Sequence, residues 1–114
     1  MKNGIDRRRH LRVPLDLQVV LMTPQGVIKG KTADISVNGL AVILFLEKPE
    51  IGNEFEITLK SSEGHDMPVT CEKVWSGKYI FDETAYNAIG VQFTKISPSD
   101  RKIIASMVEK YYLV

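Results

Sequence analysis

The stretch "VIKGKTADISVNGLAVILFL", residues 27–46, decides the fold. Its first half, residues 27–36, alternates apolar and polar side chains with the period of two that a half-buried strand requires. "VNGL" then interrupts, and Asn38-Gly39 is the reversal signal of a tight hairpin. The second half, "LAVILFL" at 40–46, is β-branched and aromatic enough to read as a strand in the core.

Working outward, the flanks repeat the same grammar. Toward the N-terminus "VPLDLQVVLM" (13–22) alternates, and "TPQG" (23–26) supplies a turn. On the other side "EKPEIGN" (47–53) is a loop. "EFEITLK" (54–60) then sets Phe55, Ile57 and Leu59 between charges, and "SSEGHD" (61–66) turns. "MPVTCEKVW" (67–75) places Val69 and Cys71 on one face, with Trp75 assigned to the core wall. "SGKYIFDETAY" (76–86) reads as a looser polar loop. Its Tyr79, Ile80 and Phe81 mark either core packing, the favoured reading, or a partner surface. "NAIGVQF" (87–93) is the last strand.

The period changes at the end of the chain. In "SPSDRKIIASMVEKYYLV" (97–114), Ser97 is a natural N-cap, Pro98 suits the first helical position and Asp100 falls in the first turn. Ile103, Ile104, Met107, Val108, Tyr111 and Tyr112 then recur at three- and four-residue spacing, the stripe of an amphipathic helix. Six short strands with hairpin-length links and one helix argue for an antiparallel barrel or sandwich. The expected layout is an arginine-rich flexible arm at 1–12 and a single domain at 13–114. Within that domain the strands occupy about 13–93 and the helix about 98–112.

Composition bounds the function. The chain has 114 residues, 44% apolar and 25% charged, as in ordinary globular domains. Five cations against Asp6 give residues 1–12 a charge of +4, so the formal +1 of the whole leaves −3 on the remainder. A basic arm on an acidic body implies local engagement of an anion, not a nucleic-acid-binding domain that is basic throughout. Cys71 is the single cysteine, so no internal disulfide and no multi-cysteine zinc site can form. No secretory signal is readable, and "LAVILFL" is too short to span a bilayer. The expected compartment is a reducing cytoplasm.

No constellation for catalysis is visible. His10 and His65 lie far apart in sequence, and neither has a cysteine or carboxylate at metal-ligand spacing. Cys71 sits within a strand, where a buried inert thiol is the expected state. Glu54 and Glu56 share a solvated strand face, and no P-loop or nucleophile elbow occurs. The expectation is a protein that is not an enzyme and carries no metal or cofactor.

Two features remain. Four of the five arginines, Arg7, Arg8, Arg9 and Arg12, crowd into "DRRRHLR" (6–12). A solvated tail drawn to RNA, DNA or anionic lipid would also show a short basic run. Arginine, however, offers a planar fork for two phosphate oxygens or for the O6 and N7 of guanine, and its flat face stacks on a base. Lysine supplies only charge. The second feature is "DISVNG" (34–39). Strict alternation sets Asp34 and Ser36 on one face, opposite Ala33, Ile35 and Val37. They are then either plain solvent-facing residues before the turn, or a guanine site. In the second case the carboxylate accepts from guanine's N1–H and N2–H₂, and Ser36 adds a hydroxyl. Gly39 allows a positive φ and leaves room close to the backbone.

Together Arg8 and Arg12 form RxxxR, and Asp34, Ser36 and Gly39 form DxSxxG, one strand, turn and strand later. In order, spacing and scaffold this resembles the PilZ domain, the bacterial receptor module for cyclic di-GMP, over essentially the whole chain. The resemblance implies a six-stranded antiparallel β-barrel of the split-barrel, PilZ-like kind with a C-terminal helix. It implies that Arg8 and Arg12 wrap a ligand of two guanines and two phosphates, while Asp34 and Ser36 hold a guanine on the barrel and Gly39 shapes the reversal beneath it. Arg7, just before RxxxR, goes in the family with an intercalated pair of ligands, hence two cyclic di-GMP per chain. Asn38 and Arg9 are candidates for secondary contacts, and His10 for a solvated residue. Ligand binding is expected to order the arm, hinged at Val13-Pro14, and to present a surface to a protein effector. The alternative is a PilZ-like adaptor that binds protein and no nucleotide. A general DNA or RNA binder is disfavoured because no aromatic residue interleaves the arginines.

Overall fold

The computed structural model describes residues 13–46, 51–61 and 63–113. Six strands, β1 (Gln18–Thr23), β2 (Gly26–Ser36), β3 (Gly39–Phe45), β4 (Glu54–Lys60), β5 (Asp66–Phe81) and β6 (Thr84–Lys95), form a closed antiparallel barrel in the order β1-β2-β3-β6-β5-β4. Pairing of Gln18–Leu21 with Ile57–Lys60 closes it. A helix, α1 (Pro98–Leu113), follows. The expected barrel and terminal helix are both present.

Alternation explains the interior. Val19 and Leu21 of β1, Ile57 and Leu59 of β4, and Met67, Val69 and Cys71 of β5 are all buried in one cluster. Helix α1 adds Ile104 and Val108 to that cluster, with Ile103 and Met107 half-buried beside them. Burying a side chain of this size is worth roughly 1.5–3 kcal/mol, so the apolar stripe holds the helix to the barrel. Its start is fixed as the sequence implied. Ser97 Oγ accepts from the Asp100 N–H at 3.1 Å, and the Arg101 N–H donates to the Ser97 carbonyl at 2.9 Å. Asp100, 6% exposed, receives His65 Nε2 at 3.2 Å, which ties the β4–β5 turn to the helix start.

Three expectations about strands are corrected. The first strand begins at Gln18, five residues later than alternation suggested. Pro14 has no N–H to give a ladder, and residues 13–17 are held by other means. The buried Thr32 hydroxyl donates to the Leu15 carbonyl and accepts from the Leu17 N–H at 2.9 Å. Residues 76–86 are not a loose loop but a two-stranded ribbon in which β5 and β6 remain paired out to Phe81 and Thr84. Its turn, Asp82-Glu83, has φ of 53° and 64°, the left-handed pair that a right-twisted hairpin needs. Finally, Ile80 (69%), Phe81 (49%) and Trp75 (42%) are exposed rather than packed in the core, while Tyr79 is half-buried against Ala88.

Candidate functional site

The end of β2 carries the features the sequence singled out, and two offsetting bulges shape it. Thr32 pairs with Ile43, Asp34 with Val42 and Ile35 with Leu40, so Ala33 is an extra residue on β2 and Ala41 an extra residue on β3. Thr32 and Ile35 are both buried although three residues apart. The bulge therefore turns Ala33 and Asp34 together to the side away from the main core. Ala33 packs there against Ala88, as do Tyr79 and Tyr86, in a separate small cluster. Strict alternation had placed Ala33 opposite Asp34; the bulge puts them side by side. Asp34 is half-buried, with Oδ1 shielded from solvent. On the neighbouring surface the Lys31 ammonium lies 5.0 Å from the Phe81 ring centre and 5.8 Å from that of Tyr86.

The turn after Asp34 is built from its own polar groups. Ser36 pairs with Gly39, so the two turn residues are Val37 and Asn38, not Asn38 and Gly39 as the dipeptide suggested. Ser36 Oγ donates to the Gly39 carbonyl at 3.1 Å and accepts from the Asn38 N–H at 3.3 Å. Ser36 is buried, 7% exposed, and its hydroxyl closes the turn. Gly39 has no positive φ. It is glycine because a Cβ would stand 2.4 Å from the Val91 carbonyl oxygen of β6. The need for a missing side chain is real, but the close approach is strand to strand. Asn38 is fixed twice: its carbonyl accepts from the Phe93 N–H at 2.9 Å, and its Oδ1 from Arg101 Nη1 at 3.1 Å. Arg101 Nη1 also donates to the Val37 carbonyl at 3.1 Å. Sequence reading missed Arg101 altogether, since no local signal pairs a helix residue with a turn more than sixty positions away.

Arg7, Arg8, Arg9, His10 and Arg12 lie outside the described residues. Val13, the residue after Arg12, does not. Its N–H donates to the Ile35 carbonyl and its carbonyl accepts from the Ile35 N–H, both at 2.9 Å, and its side chain is fully buried. Val13 is thus held to the barrel opposite Ile35, the residue between Asp34 and Ser36. Elsewhere, burial pushes the Cys71 thiol up from 9.0 to about 12, the state of an inert core cysteine. Among the described residues no three of His, Cys, Asp and Glu are grouped to hold a metal, and no helix is long and apolar enough to cross a membrane.

Comparison with protein families matches residues 6–110 to the PilZ domain. The chain belongs to the PilZ domain family. Solved structures with the same fold include the PilZ domain of YcgR from Escherichia coli with c-di-GMP (TM-score 0.71, 13% identity, 91% of this chain and 90% of that one). The K. pneumonia MrkH–c-di-GMP complex is similar at TM-score 0.77 and 19% identity, over 94% of this chain and 53% of MrkH. The Bacillus subtilis inhibitor of motility MotI/DgrA gives 0.76 and 12%, over 94% and 52%. This chain therefore spans about half the length of the last two proteins. Among curated proteins no significant sequence match is found.

Proposed function

We propose that this PilZ domain is a cyclic di-GMP receptor whose site is shared between the arginine arm and the outer end of β2. The observation that carries the reading is the Val13–Ile35 bridge, which ties the arm to the barrel between the two polar residues of DxSxxG. Arg8 and Arg12 supply forks for phosphate and guanine O6/N7, and Asp34 supplies the acceptor for the N1–H and N2–H₂ edge. Ser36 and Gly39 act mainly by building the turn that presents Asp34, with Asn38 in the same frame. Arg7 favours an intercalated pair of ligands, whose four negative charges equal the arm's +4. Arg9 contributes charge. PilZ relatives solved with c-di-GMP support the ligand class.

Residues 1–12 contain little apolar surface of their own, so the energy to order them comes from the anion. Ordering lowers affinity but creates a new surface for a protein effector in the bacterial cytoplasm. The exposed Ile80 and Phe81 of the ribbon favour a protein-binding role as well, and a nucleotide-independent adaptor is the alternative. Titration calorimetry with cyclic di-GMP separates the two. The receptor reading expects binding by the wild type and none measurable in Arg8→Ala or Arg12→Ala. The adaptor reading expects no heat from any of them.

A further inference from the structure

We infer that Arg101, at the start of α1, is a positioning residue for the ligand site: it clamps the Val37-Asn38 turn in the geometry that presents Asp34. The inference rests on the proposed receptor reading and extends it to a residue outside both motifs. One nitrogen, Nη1, reaches the Val37 carbonyl and Asn38 Oδ1, each at 3.1 Å. Neither turn residue is fully buried: Val37 and Asn38 are both half-buried. The turn's other ties include the Ser36 hydroxyl and the Phe93–Asn38 backbone bond. Two of the acceptors that could let it settle differently, one backbone and one side chain, are therefore held by a single cation.

The cation is itself well placed. Asp100, the neighbouring residue, is buried and tied to His65 and to the Ser97 cap, while Ile104, one turn on, is fully buried. Arg101 thus projects from a fixed helix start, and the turn is braced against the helix rather than against solvent. A site residue held by a braced turn loses less freedom when ligand arrives, and that saving appears as affinity. By linkage, ligand that favours the braced turn must also strengthen the helix docking.

The test is a double-mutant cycle on the full chain, read by titration calorimetry with cyclic di-GMP at temperatures where every variant is folded. Arg101→Ala should weaken binding by roughly tenfold, and Arg101→Lys, with a single compact donor group, should recover part of the loss. In an Asn38→Ala background the same Arg101→Ala change should cost clearly less, because part of its route to the site is gone. Amide hydrogen exchange without ligand supplies a second readout: Arg101→Ala should speed exchange at Asn38 and Phe93. Equal losses in both backgrounds would show that the Asn38 contact carries none of the effect, and would overturn the clamp on this turn. Wild-type binding with Arg101→Ala unchanged overturns this inference alone. Failure of the wild type to bind overturns the receptor reading and this inference with it.

Discussion

Replacing Gly39 by alanine tests whether this glycine serves the strands or the ligand. The added Cβ would stand 2.4 Å from the Val91 carbonyl oxygen, 3.1 Å from Gln92 Cα and 3.3 Å from the Val91 carbonyl carbon. Ordinary contact begins at 3.4 Å, so the worst overlap is 1.0 Å, and all three obstacles are backbone. No rotamer change relieves them. Relief requires opening the Gly39–Gln92 and Leu40–Val91 pairs that join β3 to β6. Overpacking usually costs about 1–3 kcal/mol, and a rigid backbone neighbour places this case near 3 kcal/mol. For a domain of this size that lowers Tm by roughly 10–20 °C. Differential scanning calorimetry and urea unfolding of Gly39→Ala provide the measurement. A Tm within about 2 °C of wild type, with ligand binding lost, would refute the packing argument and return the glycine to direct ligand contact.

Three further outcomes follow from particular contacts. Thr32→Val removes the hydroxyl that satisfies both the Leu15 carbonyl and the Leu17 N–H, and should cost about 2–3 kcal/mol by urea unfolding, against near zero if residues 13–17 are held mainly by packing. Glu83→Gly relieves a left-handed non-glycine residue at φ 64° and should raise stability by about 0.5–1 kcal/mol; a fall in Tm would contradict the assigned turn. The Cys71 thiol should resist disulfide reagents near neutral pH in the native protein and react fully in concentrated guanidinium. Because the unfolded thiol ionises from about 9 while the folded one keeps its proton to about 12, this group makes stability fall as pH rises above 9, a slope that Cys71→Ala should remove.

Much of the fold was legible because period-two patterning is strict where one face is buried. Residues 54–60 became β4 with their ends unchanged, and Ser97 capped α1 as its type and position required. Legibility failed where a backbone event breaks the period. The Ala33 and Ala41 bulges leave no mark in composition, yet they decide which way Asp34 faces. The ribbon at 75–86 was hidden because its two faces are both largely exposed, so no alternation announces it. In the site, the residue types were readable and their duties only partly so. Ser36 and Gly39 have the right chemistry for a ligand, but a buried hydroxyl bonded within its own turn and a glycine facing Val91 serve architecture first. Arg101 and Thr32 act over long sequence separations, where nothing local records the partner.

Whether Asp34 and the arginines read guanine and phosphate together is decided by titrating the wild type and Asp34→Ala with cyclic di-GMP and cyclic di-AMP at one ionic strength. The wild type should clearly prefer cyclic di-GMP, and Asp34→Ala should reduce that preference by about 1–3 kcal/mol. Equal affinity for the two nucleotides, unchanged in the variant and falling steeply with salt, would contradict this reading and leave only a basic arm.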